Sequence, residues 1–78
     1  MTYEELRKAL GCDQLGTQAA NCLWREYTWH GGTSEVAMDL LCSLTRDDLL
    51  DIRNFGPQSL ARVESWLARE GRALRELA

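Results

Sequence analysis

Apolar residues in this chain recur three and four positions apart, in short segments separated by Gly, Pro or Asn, and nowhere alternate with polar ones in the period of a strand. A chain built this way can bury its apolar side chains only by packing short amphipathic helices together, so the expected fold is all-α: a compact bundle of about five short helices. With 78 residues, one modest core is the most it can form. The expected organisation is a single helical domain, residues 1–78.

The helix boundaries are written in the caps. Thr2 with Glu5 has the spacing of a capping box, which predicts a helix from Tyr3 to about Leu10, with Leu6 and Leu10 on one face and Gly11 as its stop. A second helix is expected from near Thr17, taken as its N-cap, with Ala20, Leu23, Trp24 and Tyr27 along its buried side and His30-Gly31-Gly32 as its end. Thr33 or Ser34 then caps a third, whose apolar positions are Val36, Ala37, Leu40 and Leu41. Thr45 with Asp48 repeats the capping box for a short fourth helix through Leu49, Leu50 and Ile52. Pro57 suits the first turn of a fifth, with Leu60, Val63, Trp66 and Leu67 as its core stripe up to Gly71.

Composition excludes several classes. The chain is 45% hydrophobic and 27% charged, as in ordinary globular proteins, and it lacks both a long apolar run and a basic-then-apolar leader, so a cytoplasmic location is expected and a membrane is not. Three cysteines, Cys12, Cys22 and Cys42, with a single His and no C-x-x-C pair, fit neither a disulfide framework nor a zinc site, and no cofactor is expected. Catalysis needs a convergent nucleophile, base and orienting group, and one His with scattered carboxylates does not supply them; Cys22 reads as a small buried hydrophobe. Asp47, Asp48 and Asp51 read as a solvated helix start, since no loop with calcium-ligand spacing accompanies them.

Net charge is −3, but it is unevenly placed. Residues 1–51 carry four basic against nine acidic side chains (−5), and residues 52–78 carry five Arg against three Glu (+2). The run "IRNFGPQSL", Ile52 to Leu60, opens the basic part. Two readings of this turn stand side by side. In one, Gly56 and the free N–H groups of the next helix face outward and bind an oxyanion such as a DNA phosphate without any Lys. In the other, the turn only reverses the chain, with Phe55 in the core and Gly56 in a backbone conformation other residues resist.

Two stretches, "AANCL" at Ala19 to Leu23 and "LTRDDLLDIRNFGPQSLARVESWLAREG" at Leu44 to Gly71, resemble in the same order the two signature stretches of the C-terminal domain of the bacterial RNA polymerase alpha subunit. The resemblance covers about residues 15–71, and residues 1–14 form an additional N-terminal helix. It implies a helical domain with a helix-hairpin-helix-like turn that binds the minor groove of A·T-rich promoter DNA and contacts sigma factors and activators. Because the chain starts at Met and lacks the polymerase assembly domain, it is expected to be a free-standing relative.

Carried over by position, the family's DNA surface maps onto Asn21 and Cys22 on the second helix and onto Asn54, Gly56 and Ser59 at the hairpin turn. Where the family has cations, this chain departs: Gln18 replaces an Arg that enters the minor groove, Gln58 replaces a Lys, Pro57 stands at a commonly basic position, and Trp24 stands where the family has a Lys. An Arg in a narrow minor groove gains from its concentrated negative potential, and phosphate binding scales with the number of cations engaged, so these losses weaken binding. Arg25, Arg53 and Arg62 are the candidates to replace them. Between the two signature stretches the chain has several residues more than the family, around Tyr27 to Thr33. There, Trp29 and His30 make either an exposed contact loop or a segment in which Trp29 packs on the core. The final "AREGRALREL" reads as a solvated basic helix end.

The expected partners are therefore duplex DNA or, if the cation losses mark a surface given over to protein, RNA polymerase, a sigma factor or another transcription regulator.

Overall fold

The computed structural model describes residues 2–27 and 34–76, which form five helices in the order α1 (Tyr3–Leu10), α2 (Gln14–Glu26), α3 (Ser34–Cys42), α4 (Arg46–Leu50) and α5 (Pro57–Arg69). No strand occurs among the described residues. Trp29, His30 and the capping role expected of Thr33 lie outside them.

Helix α2 packs against α1 and α5, α1 also meets α5, and α4 lies on α5. Leu6 and Leu10 of α1, Leu23 of α2, Leu41 of α3, Leu49 of α4 and Val63 and Leu67 of α5 are all fully buried where these helices converge. Phe55 and Trp66 complete the core. Val36 departs from its expected role: it is 57% exposed, and Met38 is the α3 residue that joins Ala37 and Leu41 inside.

Both expected capping boxes are present. Thr2 accepts from the Glu5 N–H while Glu5 accepts from Thr2, and Thr45 and Asp48 do the same at α4. Pro57 takes the first position of α5.

Helix α2, however, is capped four residues before the expected Thr17. Asp13 is its N-cap: the carboxylate accepts from the Gly16 N–H at 3.1 Å. Gly11, at φ 116°, turns the chain sharply enough for α2 to start this early. The cap is held from across the molecule. Arg62 on α5 donates to both Asp13 carboxylate oxygens, at 3.0 and 2.6 Å, and to the Leu10 carbonyl at 3.1 Å. One guanidinium thus ties the end of α1 and the start of α2 to α5.

This clamp sets an acid limit. The Arg62 guanidinium, and then the Gly16 N–H, hold the Asp13 carboxyl below its ordinary range, and the capping N–H groups at Thr2 and Thr45 lower Glu5 and Asp48. A carboxyl that binds its proton less readily folded than unfolded contributes stability above its unfolded pKa, about 4, and loses it as pH falls through the lower folded value. The melting temperature should therefore hold from neutrality to about pH 5 and fall below about pH 4. Asp13→Asn keeps a capping oxygen but loses the ion pair, so it should melt lower at pH 7 and show a shallower acid limb. Thermal melts across pH check both.

Residues after α5 do not form the expected solvated helix end. Gly71, at φ 70°, closes the helix: its N–H bonds the Ala68 carbonyl, and the Arg72 N–H bonds the Leu67 carbonyl at 2.8 Å. The chain then folds back as a strap. Leu74 is buried, the Arg75 N–H bonds the Leu44 carbonyl, and Arg72 pairs with Asp39 at 2.6 Å.

Candidate nucleic-acid interface

The turn between α4 and α5 is closed by the Phe55 N–H on the Ile52 carbonyl at 3.0 Å. Ile52, expected at the end of α4, is instead the first residue of this turn, buried beneath it. Asn54 takes its third position at φ 68°, the left-handed region that Asn tolerates better than other residues with a Cβ. Gly56 does not take the special conformation expected of it. Its φ of −106° and ψ of −177° are extended, and a Cβ placed there meets nothing within 4 Å. Phe55 is buried in the core as anticipated, and Gly56 opens outward at the start of α5.

Gly56 is the N-cap of α5 and provides no capping side chain. The first helical N–H to bond backward is that of Leu60, to the Gly56 carbonyl. The N–H groups of Gln58 and Ser59 lie ahead of it, at the positive end of a 13-residue helix. Helices α1, α2 and α4 spend the corresponding N–H on Thr2, Asp13 and Thr45.

Across from the turn, α2 presents Gln18, Asn21 and Arg25 on one exposed edge. Two adjoining depressions join the edge to the turn. Gln18, Asn21, Cys22, Arg25 and Asn54 line one, and Arg25, Glu26, Ile52, Arg53 and Asn54 line the other. Cys22 fixes this junction from below: its thiol, buried at the base, donates to the Arg53 carbonyl at 3.6 Å. Among the described residues, Arg25 and Arg53 are in no ion pair, whereas Arg7, Arg46, Arg62 and Arg72 each hold an acid. Glu26 adds one negative charge to the second depression.

Gln18, Asn21, Arg25, Arg53 and Asn54 therefore share one polar surface, with Gly56 and the exposed Gln58 following at the start of α5. Three expected residues do not contribute as anticipated. Arg62 is committed to Asp13 and Leu10, and Cys22 and Ser59 are each 4% exposed, so neither of their side chains is presented to a ligand. A fourth residue escapes sequence reasoning: the Tyr3 hydroxyl of α1 donates to the Asn21 carboxamide oxygen. Nothing local to Tyr3 signals this contact, which depends on how α1 crosses α2.

A larger depression lies between α1, α3 and α5, floored by Ala9, Met38 and Trp66. Its rim mixes Glu5, Glu35 and Glu70 with Lys8, Arg69 and Arg72, so no single sign of charge collects there. No group of His, Cys, Asp and Glu among the described residues could hold a metal ion, and none of the described helices is long and apolar enough to cross a membrane. No family model, curated protein or solved structure matches this chain.

Proposed function

We propose that this domain is a non-enzymatic, transcription-associated module that binds duplex DNA, gripping phosphates and the minor groove with the exposed edge of α2 and the hairpin turn. The observation that carries the reading is the meeting of Arg25 and Arg53, both free of acid partners among the described residues, at the turn that leads into the uncapped start of α5. Uncapped N–H groups at a helix start bind phosphate oxygens, and exposed amides such as Gln18 and Asn21 hydrogen-bond base edges. The same face is supported by the resemblance of Ala19 to Leu23 and of Leu44 to Gly71 to the signature stretches of the polymerase alpha family.

Binding through two cations should be weak and salt-dependent, with log K falling by about 2 units per decade of salt. Arg25→Ala and Arg53→Ala should each flatten that slope by about 1 unit. Fluorescence anisotropy of a labelled A·T-rich duplex across a salt series measures both. No binding at low salt, or slopes unchanged in both variants, overturns the reading.

A second reading is favoured by the net charge of −3, by Gln18 and Gln58 in place of cations, and by Glu26 at the rim. On that reading the face contacts RNA polymerase, a sigma factor or another regulator, and DNA leaves it untouched.

A further inference from the structure

Asn21 is the exposed carboxamide at the centre of the α2 edge, three residues after Gln18 and four before Arg25. A free Asn presents either its oxygen or its NH2 to a ligand by rotating its amide. Here one end is taken. The Tyr3 hydroxyl donates to Oδ1, and the Tyr3 ring is held in turn, edge-on to Trp24 with centroids 5.9 Å apart and planes at 73°. Tyr3 also begins α1, whose capping box fixes the helix start. The oxygen keeps a second lone pair, but it is turned toward Tyr3 on α1, which leaves the NH2 group as what Asn21 offers the depression it shares with Gln18, Arg25 and Asn54.

We propose that Tyr3 is a positioning residue that sets the specificity of this face: by holding the Asn21 oxygen, it makes Asn21 a donor-only reader. The inference rests on the DNA-binding reading of the face. Its consequence lies in the chemistry of the minor groove. A·T pairs show only acceptors there, adenine N3 and thymine O2, whereas G·C adds the guanine N2 amino donor. A rotatable carboxamide can satisfy that donor with its oxygen. One held by Tyr3 sets donor against donor, and a G·C pair is penalised.

The test is Tyr3→Phe in the full chain, which removes one hydroxyl and keeps the ring against Trp24. Anisotropy titrations at low salt with an A·T-rich and a G·C-rich duplex give the preference ratio. The ratio should fall about fivefold in Tyr3→Phe, mainly through tighter G·C binding, with little change in melting temperature. Asn21→Ala should lower the same ratio, and adding Tyr3→Phe to it should change nothing further, because the two residues act through one amide.

In the free protein, the Asn21 side-chain NH2 resonances should shift on Tyr3→Phe. A purely structural Tyr3 would weaken both duplexes by the same factor and add to Asn21→Ala, and that result overturns the inference. So does a preference identical to wild type. If wild type binds neither duplex, the DNA reading falls and takes this inference with it; selective wild-type binding that ignores Tyr3→Phe overturns the inference alone.

Discussion

Gly16→Ala should lower the melting temperature by about 8 to 16 °C, although alanine is the better helix former. Helix propensity alone favours Ala over Gly by about 1 kcal/mol in a helix interior. Against that gain, a Cβ at Gly16 would stand 2.0 Å from the Gly11 carbonyl oxygen, 2.6 Å from its carbon and 2.9 Å from its Cα. All three are backbone atoms, so no rotamer change relieves the clash. The α1–α2 turn must lift off, and Gly11 is pinned between the Arg62 bond to Leu10 and the Asp13 cap. Overpacking of this kind costs about 3 kcal/mol, leaving about 2 kcal/mol of net loss. For a domain of this size each kcal/mol moves the midpoint by about 4 to 8 °C. A melt of the single variant settles the sign, and a rise would show that the turn is not held as described.

Gly56→Asp should do the reverse: stabilise the protein and weaken DNA binding. The N-cap position is extended and open, and residue 56 has no side chain to take the Gln58 and Ser59 N–H groups. An Asp there caps them and complements the helix dipole, a gain of about 0.5 to 1 kcal/mol. The same carboxylate occupies the place proposed for a phosphate and repels it. Affinity should drop at least tenfold, about 1.4 kcal/mol or more. Gly56→Ser, which caps without charge, should fall between. A purely structural turn predicts the stabilisation and no effect on any ligand. Melting and duplex titration of the two variants separate these cases.

What could be read ahead of the structure follows the reach of each interaction. Thr2 with Glu5, Thr45 with Asp48, and Pro57 at the head of α5 are decided within four residues, and the sequence shows them directly. For α2 the sequence points to Thr17 as the cap, and Asp13, held by Arg62 49 residues away, takes that place instead. That same pairing withdraws Arg62 from the surface where its place in the sequence suggests it. Asn54 and Gly56 both tolerate unusual backbone angles, and the closure of the turn on Ile52 assigns the positive φ to Asn54. Gly71 is legible as a helix stop, but Leu74 beyond it is buried only because the strap meets Leu44.

The candidate face divides in the same way. Gln18, Asn21 and Arg25 share an edge by helical spacing, which sequence alone gives. Their meeting with Arg53 and Asn54 is suggested by a resemblance and requires the packing of α2 beneath the turn.

The most direct measurement is an amide-resolved NMR titration of the labelled protein with an A·T-rich and a G·C-rich duplex, each at low and at physiological salt. Shifts concentrated at Asn21, Arg25, Arg53, Gln58 and Ser59, larger with the A·T-rich duplex and shrinking with salt, are the predicted result. Amides on this face that stay still with both duplexes at low salt would contradict it.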